Sequence, residues 1–99
     1  MSVQIVQFTL LHGKWEEFTA FCKDSSGTHP LASQNKITIY RNKHNPDECT
    51  MVISFPDNEA LLAFARAAET KSYFDQAQKF LVGEPNYYHA DEIALAKSH

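Results

Sequence analysis

The sequence predicts one α+β domain whose elements run strand, helix, strand, strand, helix, strand. Three observations carry that prediction. Short stretches in which apolar and polar residues alternate occur at the start, in the middle and at the end of the 99 residues. Two stretches with apolar residues at helical spacing separate them. No linker, repeat or low-complexity tract divides the chain, so residues 1–99 read as a single domain.

The first strand is Val3 to Leu10, VQIVQFTL. Val3 and Ile5 alternate with Gln4, and Val6, Phe8 and Leu10 make up the other face, so both faces carry apolar character. His12-Gly13-Lys14 breaks the strand. Trp15, Phe18, Phe21 and Cys22 then recur at helical spacing, with Glu16, Glu17 and Lys23 on the wet side. Asp24-Ser25-Ser26-Gly27 is expected to stop this helix. Ser25 to Gln34 reads as a loop long enough to be a functional suspect, with His29 extended before Pro30.

Lys36 to Arg41 is the second strand, with Ile37 and Ile39 on one face and Thr38 and Tyr40 on the other. Asn45-Pro46-Asp47 makes a turn, because proline fixes φ and Asn and Asp tolerate turn backbones. Cys49 to Phe55 is the third strand, with Cys49, Met51, Ile53 and Phe55 sharing a face. Asp57 is the expected N-cap of the second helix, whose apolar stripe reads Leu61, Leu62, Ala65 and Ala68. Glu69-Thr70-Lys71 interrupts it. A shorter helix is expected from the capping-box spacing Ser72 to Asp75, burying Tyr73, Phe74, Ala77, Phe80 and Leu81. Gly83 reads as a C-cap, and Asn86 to Ile93 as the last strand. The tail after about Leu95 is expected to be loose.

Helices between short antiparallel strands imply one sheet with both helices on one face. The other face is then bare and apolar, which favours a second copy of the chain as its cover. At this length the fold buries only about 60–65% of the unfolded surface, so a dimer also supplements a modest core.

Twelve acidic against nine basic residues give a formal charge of −3. That opposes a nucleic-acid or anionic-membrane partner, since both need clustered Lys and Arg. No basic segment precedes an apolar stretch and no apolar run nears the length of a bilayer span, so the expected location is the cytoplasm. Cys22 and Cys49 are expected as reduced, packed thiols.

Five histidines stand at 12, 29, 44, 89 and 99. None forms a pair at zinc spacing with another histidine or a cysteine, so no metal and no cofactor is expected. His44 and His99 read as solvated. His89 lies on the last strand beside Tyr87 and Tyr88, where a neutral imidazole can carry a proton; it also fits a sheet residue hydrogen-bonded at a dimer seam. His12 closes the exit of the first strand, a place where sites often sit. Trp15 and Tyr40 can line a ligand slot or simply fill space. No carboxylate pair is placed to act as acid and base. The third strand, CTMVISF, lacks the basic aromatic signature of an RNA-recognition domain; Cys-x-x-Cys is absent, and the three glycines form no phosphate loop.

Several segments together resemble the dimeric α+β barrel superfamily, in particular the antibiotic-biosynthesis-monooxygenase-like domains. Thr9 to Phe18 (TLLHGKWEEF) is similar to that family's strand-to-helix step. Asn45-Pro46-Asp47 with the third strand is similar to its central hairpin. Phe55-Pro56-Asp57-Asn58-Glu59-Ala60-Leu61 resembles its helix start, and Ser72-Tyr73-Phe74 its Ser-x-Phe step. The resemblance runs from Ile5 to about Ile93. It implies a ferredoxin-like βαββαβ antiparallel sheet with helices on one face, assembled as a dimeric α+β barrel. The departures bear on function. The histidine that family members carry near Phe64-Ala65 is missing. Where the haem-degrading branch places an iron-binding histidine, this chain has Gln78; that branch's strand-one asparagine falls near Val6, and its helix-two tryptophan has no counterpart.

The leading reading is a homodimer that binds a small organic molecule between sheet and helices. If it is an enzyme, the resemblance implies cofactor-independent monooxygenase-like chemistry on an easily deprotonated substrate. His89 and Tyr40 would then handle protons, and Trp15 and His12 would line the pocket. The alternative is a non-catalytic binding or assembly domain of the same fold.

Overall fold

Side chains alternate across a strand, so the register of the sheet decides which of them meet. The computed structural model describes residues 1–28 and 36–95, with the main chain alone for 25–28. The elements are β1 (Ser2–Thr9), α1 (Trp15–Thr28), β2 (Lys36–Arg41), β3 (Glu48–Phe55), α2 (Asn58–Arg66), α3 (Ala68–Ala77) and β4 (Asn86–Asp91), with a 3₁₀ turn at Gln78–Phe80. The strands lie in the order β2-β3-β1-β4, every neighbouring pair antiparallel. This is the ferredoxin-like α+β arrangement that the sequence predicts.

Val6 pairs with Met51 and Tyr87, and Gln4 with Ile53 and His89, so these residues share the helix-covered face. Ile37 and Ile39 join it from β2 through Ile53 and Met51. The core forms here: Val6, Phe8, Leu10, Cys49, Met51, Ile53 and Phe55 pack against Phe18, Leu61, Phe64 and Phe80. Rings dominate it, with Phe8–Phe18 and Phe55–Phe64 centroids both 5.2 Å apart. Such tilted ring pairs add roughly 0.5–1.5 kcal/mol each beyond their burial.

The other face carries Val3, Ile5, Gln7 and Thr9 of β1, beside Thr50 and Val52 of β3, Thr38 and Tyr40 of β2, and Tyr88 of β4. Val3 is buried, Ile5 and Val52 are partly exposed, and Tyr40 and Tyr88 are exposed. No described helix packs on this face, so the sheet has one dry side and one open side.

Several local expectations shift. α1 runs on to Thr28, through the segment expected to stop it. Asp, Ser and Gly at 24–27 cost only about 1 kcal/mol or less each in a helix, and no proline intervenes. The second helical region does break, but at Ala67, whose extended ψ of 136° separates α2 from α3. Ser72 therefore lies inside α3 and accepts a bond from Gln76 Nε2 at 3.2 Å instead of capping. The buried stripe of α2 is Leu61 and Phe64, while Ala65 and Ala68 are exposed. The ring at 64 offers far more apolar area than the alanines, so it takes the dry side. Asp57 is the N-cap as expected, its Oδ1 accepting from Ala60 N at 2.8 Å. Gly83 sits at positive φ (68°) just after the 3₁₀ turn. β4 ends at Asp91, and Ile93 and Leu95 beyond it are exposed. Cys22 and Cys49 carry free thiols. The extended geometry expected at His29, most of the suspected loop, His99 and the tail end after Leu95 lie outside the described residues.

Candidate functional site

The helix-covered face does not close perfectly. Between β1, β3 and β4 on one side and α1 and α3 on the other lies a narrow apolar slot. Val6, Phe8 and Met51 form its floor, Phe18, Tyr73, Phe74 and Ala77 its roof, and Leu81, Pro85 and Tyr87 its end; the void is about 20 Å³. A void of that size with apolar walls stays dry. The rings of Phe74 and Tyr87 meet edge-on, with centroids 5.2 Å apart. Tyr87 itself is 43% exposed. Tyr87 therefore lines the slot from β4 while part of its ring meets solvent.

The polar groups around the slot are phenols and a thiol. Burial holds the Tyr73 phenol far above the ordinary tyrosine range, and its contact with Cys22 adds to the rise. Burial likewise raises the Cys22 thiol, against the hydrogen bond from Tyr73 that lowers it. Tyr87 is raised by burial, then by the charges of Asp75 and Glu84. All three are therefore held in their neutral, proton-bearing forms at neutral pH.

The four residues singled out from the sequence fall in three places. His89 is exposed on edge strand β4, two residues from Tyr87 on the same face of the sheet, and directly across from Gln4 of β1. Tyr40 is 62% exposed on the opposite edge strand and on the open face. It borders a hollow of about 510 Å³ with Gln7, Glu48, Glu84 and Asn86. One chain thus keeps the two proton-handling candidates apart, on opposite faces and opposite edges.

His12 and Trp15 are brought together, in a groove of about 400 Å³ at the start of α1. The left-handed turn at Gly13 (φ 81°) sets up the step from β1 into α1. His12 Nδ1 lies 3.2 Å from Asp47 Oδ2 across the β2–β3 turn. The His12 side chain is 97% exposed, so this contact is worth little. The Arg41 guanidinium sits 4.3 Å from the Trp15 ring centre, and its Nε donates to Pro46 O at 2.7 Å. Trp15 thereby ties α1 to the hairpin as well as walling the groove.

Sequence reasoning missed three features. The Phe74–Tyr87 contact depends on which strand lies beside which helix. The Arg41–Trp15 stack joins residues distant in sequence. The third is Gln4, which is buried on the helix-covered face with its side-chain oxygen unpartnered. A signal for Gln4 was available: a lone amide within Val3-Gln4-Ile5-Val6 must go somewhere when both faces of the strand are covered. Gln78 donates from Nε2 to Gly83 O at 2.6 Å, so this side chain fastens the turn into β4. Among the described residues no group of three or more His, Cys, Asp or Glu could hold a metal ion, and no helix is long and apolar enough to cross a membrane.

The whole fold is shared with solved structures. A Bordetella bronchiseptica protein provisionally named an antibiotic biosynthesis monooxygenase superposes with a TM-score of 0.76 at 14% identity, covering 94% of this chain and 97% of the other. This chain has the antibiotic-biosynthesis-monooxygenase-like α+β fold. A conserved protein from Methanosarcina mazei Go1 shares that fold at a TM-score of 0.73 and 19% identity, covering 94% of each chain. A NIPSNAP domain protein from Burkholderia xenovorans does so at 0.67 and 12% identity, covering 99% of this chain and all (100%) of the other. No protein-family model matches the sequence, and no curated protein matches it.

Proposed function

We propose that this chain is a homodimeric small-molecule-binding protein of the monooxygenase-like fold, and that its ligand enters the slot between sheet and α3. The observation that carries the reading is the Phe74–Tyr87 contact: an apolar slot lined on β4 by a ring that packs edge-on against Phe74 and is partly in water. Swinging Tyr87 outward gives up that contact and the buried part of its ring, and widens the slot beside Val6 and Met51. Dimerisation through the open face follows from the row of Ile5, Val52 and Tyr88, which has no cover within the described chain.

In an enzymatic version of this reading the protein orients its substrate and moves a proton. His89 is the base, because it follows Tyr87 along the same face. Tyr40 serves the reaction only where a partner subunit's slot approaches the open face. Trp15 and His12 bind substrate only where it lies in the groove at the start of α1, which shares no lining residue with the slot. The second reading, a binding or assembly domain without chemistry, is favoured by one observation: within one chain Tyr40 and His89 stand on opposite faces.

Native mass spectrometry of the purified protein tests the binding reading. A retained organic molecule of constant mass, lost in a variant that fills the slot (Ala77→Trp) while the dimer persists, is the expected result. A protein that arrives empty and takes up no ring compound, even after Tyr87→Ala opens the slot, overturns it.

A further inference from the structure

Buried polar atoms without a partner are rare, and each one calls for a reason. Among the described residues a single side-chain atom qualifies, Gln4 Oε1. Gln4 is only 6% exposed. Its neighbours in the sheet are Ile53 on β3, which is buried, and His89 on β4, which is exposed. Gln4 shares its face with Val6, the next residue along that side of β1, and Val6 is part of the slot floor. On a strand, that step is about 7 Å.

We propose that Gln4 is the specificity-determining residue of the slot, and that its amide oxygen accepts a hydrogen bond from an O–H or N–H carried by the bound molecule. The inference rests on the slot reading above and narrows it to a ligand class. The ligand has an apolar ring that packs against Val6, Phe74 and Tyr87, and a donor group roughly 7 Å away along β1. A two-ring aromatic alcohol has that length. Gln7 does not compete for the role: it faces the open side, where its Oε1 already accepts from Asn86 Nδ2 at 3.2 Å. Neither Gln4 nor His89 lines the slot itself; they pair across β1 and β4 one step beyond Val6, so a donor reaching Gln4 lies next to an imidazole. This placement lets one ligand group meet both residues. A site whose buried acceptor is unmet when the wrong molecule binds rejects that molecule strongly.

The experiment compares naphthalene, naphthol and the methyl ether of naphthol, titrated into the full chain and into Gln4→Met, with fluorescence as the readout. The wild type is expected to bind naphthol at least about tenfold more tightly than the ether, the equivalent of one hydrogen bond. Gln4→Met is expected to bind all three compounds alike. It is also expected to melt several degrees higher than the wild type, because it removes an unmet buried acceptor. Equal binding of naphthol and its ether to the wild type overturns the assignment of Gln4 and leaves the slot reading standing. Failure of all three compounds to bind overturns both. A lower melting temperature for Gln4→Met and for the second variant Gln4→Leu, together with an altered His89 ring signal by NMR, shows that the amide already has a partner within the chain, and overturns the inference.

Discussion

Val52→Lys is the sharpest test of the dimer. Val52 lies on inner strand β3, on the open face, between Ile5 of β1 and Thr38 of β2, with Tyr88 one strand further on. It is partly exposed in the isolated chain, so a lysine there reaches water and changes monomer stability by no more than about 0.5–1 kcal/mol. In a dimer formed through this face, two-fold symmetry places both new ammonium groups in the seam. Burying each unpaired charge costs several kcal/mol. Even about 4 kcal/mol in total weakens association roughly a thousandfold. Sedimentation equilibrium at micromolar concentration reads this directly. The wild type is expected at twice 11.3 kDa, and the variant at 11.3 kDa with an unchanged circular dichroism spectrum. A control, Ala65→Lys on exposed α2, is expected to stay dimeric. A Val52→Lys protein that associates as tightly as the wild type would show that the seam is elsewhere, and a monomeric wild type would remove the dimer altogether.

Three further outcomes are expected. Phe64→Ala removes a ring that touches Phe55 and Phe74, at centroid distances of 5.2 and 6.4 Å, and should cost about 3–5 kcal/mol by urea titration; a loss under 1 kcal/mol would mean the core had closed over the gap. Tyr73 loses its proton in the unfolded chain at an ordinary tyrosine pH but keeps it when folded, because burial raises it. Its contribution is therefore fully present below that range and is lost as pH rises above it, by about 1.4 kcal/mol per pH unit. Melting curves between about pH 9 and 11 should fall less steeply for Tyr73→Phe than for the wild type, and identical slopes would contradict the burial argument. His89→Ala should leave melting temperature and dimer intact while lowering turnover, once a reaction is found; lost dimerisation would instead make His89 a seam residue.

Much of the fold is legible in the sequence because period alone encodes it. Two-residue alternation put Cys49, Met51, Ile53 and Phe55 on one face, and all four are buried. The same rule put His89 with Tyr87, and the register agrees. Where a boundary depends on competing small effects, pattern was less informative. Asp24 to Gly27 contains poor helix formers, yet the helix passes through them. The α2 stripe was read through Ala65 and Ala68, though ring size sends Phe64 inward. The break at Ala67 involves a residue with a strong preference for helix, so nothing local announces it. The break accompanies a change of buried residues, from Leu61 and Phe64 on α2 to Thr70 and Ala77 on α3.

The candidate site was less legible for a reason that the strand order makes concrete. Alternation tells which face a residue occupies, but not which strand lies beside it. Tyr40 and His89 read as partners only so long as β2 and β4 are free to be neighbours. The order β2-β3-β1-β4 puts them at opposite edges. The same order seats Gln4 beside His89, a pairing 85 positions apart in the chain that no local motif encodes. Fold and chemistry are therefore specified at different densities. The fold needs only apolar residues at the right period, and it is shared with the Bordetella bronchiseptica protein at 14% identity. A site needs a few particular side chains on converging elements, so shared architecture does not transmit it. Here the informative residue is the one that breaks the pattern: an amide in a buried, otherwise apolar position costs about 1–3 kcal/mol if left unmet. A valine or leucine would satisfy the fold at position 4 without that cost, so Gln4→Met is the substitution that separates the demands of folding from those of recognition.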